Sequence, residues 1–556
     1  MVLIDAHAVA SQTQVEADVC IVGAGAAGLA LARELGANRR CQVVILESGG
    51  LQPDPATQAL YDVETVGHPL RMEQGYVSRN RYFGGSTNTW GGRCIPLNTI
   101  DFEARDWVAD SGWPLDRSAL EGFYRQAAKA LKLPAYRYFS PDAWQAKRLG
   151  AQFQSLDREG LAPEVALMGT SPIKMGRVYH RSLAADPNLR VYLQANVTEL
   201  EPNPDGTTVE RLHVATLAGH RFQVKARVYV LACGGWENAR LLLASSRHSP
   251  QGLGNPYDVV GRYYMEHPKI WLGRIYPRSN LLRWPAVLDY ARIPGGYGQL
   301  GLRLSDTQQR ESQVLNHYLQ LAPGFPAGLP EARQTWQWVC SRAKRLRLHQ
   351  IRPQDVRQVA PHLGQISEYF LCRTFNWPVS YPHIDILNHF EQAPNRDSRV
   401  TLGQNHDALG NRRLQVDLRI TRQEKESLIT LHRLVGERLA RLGLGDLETP
   451  DLDPEELWPG LTDASHHMGT TRMGLNPRRS VVDPNGLVHG VSNLYITGSS
   501  VFPTGGHANP TLTLVALALR LAHHLQAAVL PAMDQPVVVL GKSTPSTAAT
   551  PPIFPN

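Results

Sequence analysis

Two groups of residues at opposite ends of the chain combine types and spacing that suit chemistry. His466-His467-Met468-Gly469-Thr470 and His507-Ala508-Asn509-Pro510-Thr511 stand near the C-terminal end. A neutral imidazole can act as a general base, and an amide can donate a hydrogen bond to developing negative charge. Near the N-terminal end, Gly23-Ala24-Gly25-Ala26-Ala27-Gly28 has the glycine spacing of a dinucleotide-binding loop. The combination indicates an enzyme that oxidises its substrate beside a bound dinucleotide.

The glycine loop stands between the elements that such a loop requires. Asp18-Val19-Cys20-Ile21-Val22 is an apolar run suited to a buried parallel strand, and a helical pattern runs from Ala26 to Leu35. A second apolar run, 42–46, ends at Glu47, about 20 residues after the last glycine, where a carboxylate can bind ribose hydroxyls. This pattern predicts a phosphate on the amides of the helix N-terminus, and it leaves FAD and NAD both open.

Two further glycine-rich turns have amides that could face a cofactor. The first is Arg81-Tyr82-Phe83-Gly84-Gly85-Ser86-Thr87-Asn88-Thr89-Trp90-Gly91-Gly92, whose alternative interpretation is an ordinary surface loop. The second, 228–240, again has the pattern of a strand, a glycine turn and a helix.

The longer motifs of the chain occur in a distinctive order. They are the Gly23 fingerprint with Glu47, the loop 84–86, and the stretches 391–402, 466–474 and 500–513. In this order and spacing the sequence resembles the glucose-methanol-choline (GMC) oxidoreductases, and it is nearest to their pyranose oxidases and bacterial sugar or glycoside dehydrogenases. The resemblance covers roughly residues 15–110, 190–270 and 390–527. The stretch 271–389 lies outside it.

The resemblance implies the catalytic residues. His466 falls on the position of the histidine that faces the reactive edge of the flavin, and Asn509 falls on the second catalytic position. His466 would remove the proton of an alcohol, and Asn509 would donate a hydrogen bond to the developing alkoxide. His507, two residues before Asn509, is the reserve candidate. His267, in Met265-Glu266-His267-Pro268, is expected to be structural.

The resemblance also implies FAD, bound without a covalent link. Some members attach FAD through a histidine of the glycine-rich loop, and the aligned residue here is Thr89, which cannot form this bond. No metal is expected. The candidate cofactor contacts are Gly23, Gly25, Ala26, Ala27, Gly28, Glu47, Ser48, Arg81, Gly84, Gly85, Ser86, Asn88, Thr89, Trp90, Gly91, Val197, Ala232, Cys233, Gly234, Gly498, Ser499, Asn509, Pro510 and Thr511.

The expected fold is α/β, or α+β overall. A Rossmann-like FAD-binding domain would gather residues 14–100, 195–265 and 465–528. The ranges 101–194 and 266–464 would form a discontinuous substrate-binding domain, built on an antiparallel sheet as the family implies. Strand signals between Val400 and Ile420 favour that sheet. The range 535–556 is rich in Pro, Thr, Ser and Ala, which predicts a flexible tail.

A basic segment, 331–358, is expected to form a helical insertion in the substrate-binding domain. Its arginines and Lys344 alternate with Trp336, Trp338, Val339, Leu346 and Leu348. We favour a solvated face whose apolar side packs on the domain. The alternative is a lid, or a docking surface for an anionic partner, a membrane or a phosphate-bearing substrate.

Composition limits the classes of partner and the cellular locations that this protein could have. The chain has 556 residues and a net charge of +7, from 57 basic and 50 acidic residues, and this mild excess predicts no nucleic-acid partner. The six cysteines are scattered without metal-ligand spacing, so we expect reduced thiols and a cytoplasmic protein. The start, Met1 to Glu16, lacks the pattern of a secretory signal. The apolar stretch Leu512 to Leu525 is short for a membrane span, so we expect no membrane contact.

The resemblance finally implies a reaction. We expect FAD-dependent oxidation of a primary or secondary hydroxyl of a sugar, glycoside or aminoglycoside, with hydride transfer to flavin N5 and O2 or another electron acceptor. Oxidase and dehydrogenase activity remain open. The alternatives are a hydrophobic alcohol or sterol as substrate, a non-oxidative lyase or photodecarboxylase reaction on the same fold, and an NAD-dependent dehydrogenase.

Overall fold

The computed structural model describes most of the chain. The described residues are 2–37, 41–69, 78–144, 156, 158–278, 290–324, 328–344, 348–375 and 381–534. The expected tail, 535–556, and residues 345–347 of the expected insertion lie outside them.

The elements are numbered in chain order. The strands are β1 (Val2–Asp5), β2 (Gln14–Val22), β3 (Val43–Leu46), β4 (Val63–Thr65), β5 (Leu161–Gly169), β6 (Leu189–Leu193), β7 (Asn196–Pro202), β8 (Val209–Ala215), β9 (Arg221–Leu231), β10 (Lys269–Tyr276), β11 (Ala291–Ile293), β12 (Gly296–Leu304), β13 (Tyr318–Pro323), β14 (Ile384–His389), β15 (Arg399–His406), β16 (Arg412–Asp417), β17 (Asp446–Glu448) and β18 (Leu494–Ile496). The helices are α1 (Ala26–Gly36), α2 (Pro55–Gln58), α3 (Thr99–Phe102), α4 (Ser118–Ala130), α5 (Met175–Ala184), α6 (Glu237–Ala244), α7 (Asp306–Ser312), α8 (Leu329–Lys344), α9 (Pro353–Val359), α10 (Leu363–Phe375), α11 (Arg422–Arg441), α12 (Thr511–His524) and α13 (Leu530–Asp534).

The first sheet has the strand order β1-β6-β3-β2-β9-β8-β7, and β18 pairs with β9. Its strands β1, β6, β3, β2, β9 and β18 pair in parallel with one another, and β8 and β7 extend the sheet from β9 in antiparallel pairs. The central strands are apolar on both faces, since Val19 to Val22 and all of β3 are buried. The expected Rossmann-like fold class is confirmed.

The register of this sheet brings four strand ends to one level. Val22 pairs with Leu46 on one side and with Leu231 on the other, and Leu231 pairs with Ile496. The residues that follow these strands therefore meet at the carboxyl edge of the sheet. This edge is where open parallel sheets bind their ligands.

Helix α12 packs against α1 and α4. The stretch Thr511–Val529 is long and apolar enough to cross a membrane by length and composition alone. Within it, Leu512, Val515 and Leu519 are buried against the rest of the protein. These contacts are those of a core helix.

The second sheet has the order β11-β12-β13-β14-β10-β17, and β5 pairs with β12. All of its strand pairs are antiparallel, as expected for the substrate-binding part. The strands expected between Val400 and Ile420 do form, as β15 and β16. However, they build a separate three-stranded sheet with β4, which comes from the N-terminal part of the chain.

The first sheet extends beyond the expected domain ranges. Strands β1 and β6 pair with each other and continue the sheet from β3, yet they lie outside 14–100, 195–265 and 465–528. Both are short runs of four or five residues, so they give a weak periodic signal.

The described parts of the basic segment 331–358 are mostly helical, as expected, through α8, α9 and a 3-10 turn at Leu348–Gln350. Leu329, Ala332, Val359 and Ile366 form a small apolar cluster of their own, separate from the main core. This cluster joins α8, α9 and α10, so these three helices pack in part on one another.

Candidate active site

A cavity of about 610 Å³ begins at the carboxyl edge of the first sheet and reaches the second sheet. Of the candidate cofactor contacts, the following line it: Gly23, Gly25, Ala26, Ala27, Glu47, Ser48, Arg81, Gly85, Ser86, Thr89, Trp90, Gly91, Val197, Ala232, Cys233, Gly234, Gly498, Ser499, Asn509, Pro510 and Thr511. The cavity thus joins the two ends of the chain that carry the motifs.

The first glycine loop is shaped by close backbone contacts. Gly23 has φ of +100°, and a Cβ there would stand 2.8 Å from the carbonyl oxygen of Ala232. A Cβ at Gly28 would strike the carbonyl oxygen of Gly23. These two glycines let helix α1 and strand β9 approach β2 closely, so Gly28 packs behind the loop and does not line the cavity.

Glu47 closes the loop from the adjacent strand. Its carboxylate accepts hydrogen bonds from the backbone N–H of Ala24 at 2.8 Å and of Gly49 at 2.9 Å. Burial raises the pKa of Glu47, and the bonds from Gly49 and Ala24 and the charge of Arg81 oppose this shift. The carboxylate holds the loop and also faces the cavity, where it could accept a hydrogen bond from a ribose.

Four cavity-lining glycines leave room that any side chain would fill. A Cβ at Gly25, Gly91, Gly234 or Gly498 would find no other atom within 4 Å. Gly25 also stands at the N-cap of α1, where amides and the helix dipole favour an anionic group. The cavity therefore fits a long ligand with a phosphate at the helix end and close contact to the backbone, as FAD requires.

Two other candidate contacts do not line the cavity. Asn88 turns its side chain away and donates a hydrogen bond from Nδ2 to the carbonyl oxygen of Phe83 at 3.0 Å. Gly84 adopts φ of +100° directly behind it, where a Cβ would lie 2.9 Å from Asn88 Nδ2. Both residues shape the loop from inside.

A buried charge cluster was missed by the sequence reasoning. Glu237 forms ion pairs with Arg79 at 3.1 Å and with Arg81 at 3.3 Å, and Arg240 pairs with both Glu237 and Asp407. Burial opposes ionisation of Glu237, but the charges of Arg240, Arg81 and Arg79 hold its pKa below the ordinary value. Of this cluster, Arg79, Arg81, Arg240 and Glu237 all line the cavity. The three guanidinium groups surround one carboxylate, which suits an anionic part of a ligand.

His466 lines the other end of the cavity. Its Nε2 lies 3.3 Å from Asn509 Nδ2, and its Nδ1 lies 2.9 Å from Nδ1 of His267. Its backbone N–H donates to Oε2 of the fully buried Glu266 at 2.8 Å. Burial, and after it the charges of His267 and Lys269, lower the pKa of His466 well below its ordinary value. The imidazole is therefore neutral at neutral pH, and one of its ring nitrogens carries no proton.

His507 does not line the cavity, although it is the reserve catalytic candidate. Its ring is stacked on Tyr318 with 5.0 Å between centroids, Nδ1 lies 3.1 Å from the carbonyl oxygen of Asn316, and Nε2 lies 3.0 Å from Glu164. Although burial opposes it, the charges of His507 and Arg303 bring the pKa of Glu164 to about 2. The buried partners of His507 point to a role in supporting the loop rather than in the chemistry.

The second sheet supplies polar groups beside His466 that the sequence reasoning did not select. Lys269, Gln320 and His389 come from β10, β13 and β14 and line the cavity. Nε2 of His389 lies 3.1 Å from Oε1 of Gln320. Arg93, which follows the glycine-rich loop, donates from Nη1 to Oδ1 of Asn509 at 3.3 Å. No sequence signal distinguishes these residues, because the contacts join distant parts of the chain.

Comparison with known families decides the identity. The family described as FAD dependent oxidoreductase matches residues 18–376, more than half of the chain. The family described as GMC oxidoreductase matches residues 394–518, which include His466 and Asn509. The chain is a FAD-dependent GMC oxidoreductase. The expectations of this family and of FAD as the cofactor are confirmed.

Individual relatives of this GMC oxidoreductase agree with the family. It is 26% identical to 6'''-hydroxyparomomycin C oxidase of Streptomyces lividus over 92% of each chain. A shorter match, 42% identical over 13% of this chain and 12% of the relative, is to pyranose 2-oxidase of Tricholoma matsutake. Among solved structures, pyridoxine 4-oxidase from Mesorbium loti is similar with a TM-score of 0.53 and 17% identity, over 92% of this chain and 99% of the other. The structural likeness concerns the fold.

Proposed function

We propose that this GMC oxidoreductase oxidises a hydroxyl group of a sugar, glycoside or aminoglycoside, and that His466 removes the hydroxyl proton. The observation that carries the proposal is the pair at the end of the cavity, His466 Nε2 and Asn509 Nδ2, 3.3 Å apart. One group accepts a proton and the other donates a hydrogen bond. A hydroxyl oxygen bound beside both groups could give its proton to Nε2 and accept a hydrogen bond from Nδ2.

Each residue of the pair has a defined task. His466 Nε2 accepts the proton as the C–O bond gains carbonyl character, because a neutral imidazole has one unprotonated ring nitrogen. Asn509 Nδ2–H stabilises the negative charge that develops on the oxygen and does not compete for the proton. Arg93 holds the Asn509 amide from the other side through Oδ1. FAD, when bound, supplies the acceptor for the hydride that leaves the substrate carbon, with N5 as the accepting atom.

The polar lining beside His466 supports a polyhydroxylated substrate. Lys269, Gln320 and His389 offer both donors and acceptors from one sheet, and sugars need several such partners at fixed positions. The names of the relatives agree, since they include oxidases of a hydroxyparomomycin, of pyranose and of C-glycosides. These polar groups also favour a sugar over a sterol or a long-chain alcohol, which would need a mainly apolar lining.

FAD is proposed to be held without a covalent bond. Thr89, at the position of the covalent histidine in some members of the family, accepts a hydrogen bond from Asn80 Nδ2 at 2.5 Å. A threonine hydroxyl also lacks the ring nitrogen through which those members attach FAD. Acid precipitation of the purified protein is expected to release all of its yellow colour into the supernatant. A yellow pellet would contradict the proposal.

An anaerobic screen tests the substrate class. Purified yellow enzyme is mixed with monosaccharides, glycosides, aminoglycosides, aryl alcohols and sterols, and the bleaching of the flavin is recorded for each. We expect bleaching by members of the sugar group, with steroidal and aryl alcohols inert. Bleaching by a sterol and by no sugar would refute the proposed substrate class, but it would still support alcohol oxidation as the reaction. Repeating the reaction with O2 and with a quinone identifies the electron acceptor.

A further inference from the structure

His466 stands in the middle of an unbroken chain of hydrogen bonds. Arg93 Nη1 donates to Asn509 Oδ1 at 3.3 Å, Asn509 Nδ2 lies 3.3 Å from His466 Nε2, and His466 Nδ1 lies 2.9 Å from His267 Nδ1. His267 is fully buried and does not line the cavity. It therefore contacts the base from behind, on the side away from the substrate.

Arg93, the donor at one end of this series of hydrogen bonds, determines the position of every proton along the series. A guanidinium can only donate, so the Asn509 side chain must turn Oδ1 to Arg93 and its NH2 group to His466. The NH2 group can only donate, so His466 Nε2 must be the unprotonated nitrogen. A neutral imidazole carries one N–H, which in His466 must then be on Nδ1. This N–H points at His267 Nδ1, which must accept it.

The opposite arrangement would disable the base. If His267 donated from Nδ1, His466 would carry its proton on Nε2, facing both the Asn509 NH2 group and the substrate hydroxyl. Two donors would then face each other, and no lone pair would be available for the substrate proton. A protonated His267 would have the same effect. Burial, and after it the charge of His507, lowers the pKa of His267 to about 3, so that this ring stays neutral and can accept.

We propose that His267 is a positioning residue that accepts the Nδ1–H of His466 and thereby keeps Nε2 unprotonated, so that this nitrogen can take the substrate proton. The proposal rests on the proposed function of His466 as the base. His267 itself touches neither cofactor nor substrate, so it acts through His466. Its neighbour Glu266 binds the backbone N–H of both histidines, which keeps the two rings facing each other.

Two substitutions separate this role from packing. His267→Asn offers Oδ1 close to the place of Nδ1 and can still accept, whereas His267→Leu fills a similar volume and cannot. In the leucine variant we expect the rate constant of flavin reduction to fall on the order of 10-fold to 100-fold, a part of the usual contribution of a general base. The dissociation constant of the substrate should stay within about 2-fold, because His267 is outside the cavity. The asparagine variant should recover most of the rate.

The tautomer can be read without turnover. Enzyme labelled with 15N-histidine is examined by nitrogen NMR in the FAD-bound and FAD-free forms, and the His466 signals are identified by their loss in His466→Ala. The wild type and His267→Asn should show His466 protonated on Nδ1. His267→Leu should show a mixture or the Nε2–H form. Wild-type enzyme with His466 protonated on Nε2 would overturn the proposal.

The kinetic outcomes also distinguish this proposal from the proposed function. If His466→Ala reduces its flavin as fast as wild type, the base assignment fails, whatever the NMR spectra show. If His466→Ala is slow but His267→Leu is as fast as wild type, the role of His267 fails alone. Equal slowing by leucine and asparagine would show a packing effect and overturn the role. The double variant should be no slower than His466→Ala by more than about 2-fold, because His267 acts only through His466.

Discussion

The carboxyl group of Glu266 should make the free energy of unfolding of this enzyme depend on pH, and the substitution Glu266→Gln should remove this dependence. Burial, and after it the charge of Asp463, raises the pKa of Glu266 from 4.5 to about 8. At neutral pH its carboxyl is therefore protonated. Oε2 then accepts the backbone N–H groups of His466 and His267, and the Oε1 hydroxyl can donate to His467 Nε2, 3.3 Å away. Glu266→Gln reproduces this pattern of one acceptor and one donor.

The magnitude follows from linkage. Since the folded-state pKa is the higher one, the unfolded chain releases this proton first as the pH rises. The wild type therefore loses stability from about pH 4.5 upward, and the loss is complete above about pH 8. The difference between the two pKa values corresponds to a total on the order of 5 kcal/mol, or about 1.4 kcal/mol for each pH unit in this window. The glutamine has no proton to lose, so its advantage over wild type should grow by this amount.

The assay is urea unfolding of wild type and Glu266→Gln with excess FAD, at several pH values between about 5.5 and 8.5. Exposed Asp205→Asn serves as the control for a changed surface carboxylate. The difference in the free energy of unfolding between Glu266→Gln and wild type should rise with pH and level off above about pH 8. A difference that is constant across the range would refute the reasoning, because it would mean that Glu266 titrates alike in the folded and unfolded chain.

Three further outcomes are expected. His466 has a pKa well below 6.5 and acts as the base only when it is unprotonated. In stopped-flow measurements, the rate of flavin reduction should therefore stay constant as the pH is lowered through 6.5 and should fall only in more acidic solution. A half-maximal rate at pH 6.5 would contradict this prediction. Gly25→Val should keep its fold, as seen by circular dichroism, but its affinity for FAD should fall by more than about 10-fold, because the valine side chain would occupy open cavity beside the phosphate site. The control Gly364→Ala, on an exposed helix, should change neither the fold nor FAD binding. A Gly25→Val variant that keeps its yellow colour would count against the assigned FAD position. Arg105→Met should destabilise the protein by about 3 to 5 kcal/mol, because it leaves the buried Glu391 without its bidentate partner. In a thermal unfolding assay, the double variant Arg105→Met/Glu391→Leu should recover much of this lost stability. Equal stability of Arg105→Met and wild type would show that the ion pair contributes nothing.

The local elements of the cofactor end could be predicted because their signals are local. The strand 18–22, the helix from Ala26 and the acidic strand end at Glu47 all lie within about 30 residues, and each has a periodic or glycine signature. The chain order of these elements also implies a parallel sheet, whose carboxyl edge then gathers Gly23, Glu47 and Gly234. Most of the candidate cofactor contacts line the cavity for this reason.

The support around His466 could not be predicted in the same way. His267 is 199 residues from His466, and Arg93 is 416 residues from Asn509. A single histidine or arginine has no periodic signature, and its partner depends on how the second sheet is placed against the first. The same limit applies to β15 and β16, whose strand pattern was clear although their pairing with β4 was not. His507 shows that closeness in sequence is not enough. It lies two residues before Asn509, yet its ring turns towards Glu164, which the sequence did not indicate.

The most direct test of the central claim is flavin reduction by His466→Ala under anaerobic conditions with the best sugar substrate of the screen. The variant should remain yellow and bind the sugar, because His466 is needed for proton removal rather than for holding FAD. Its rate constant of flavin reduction should fall about 100-fold to 10,000-fold, the usual contribution of a general base. Reduction at the wild-type rate would contradict the account, since some other group would then have to take the proton.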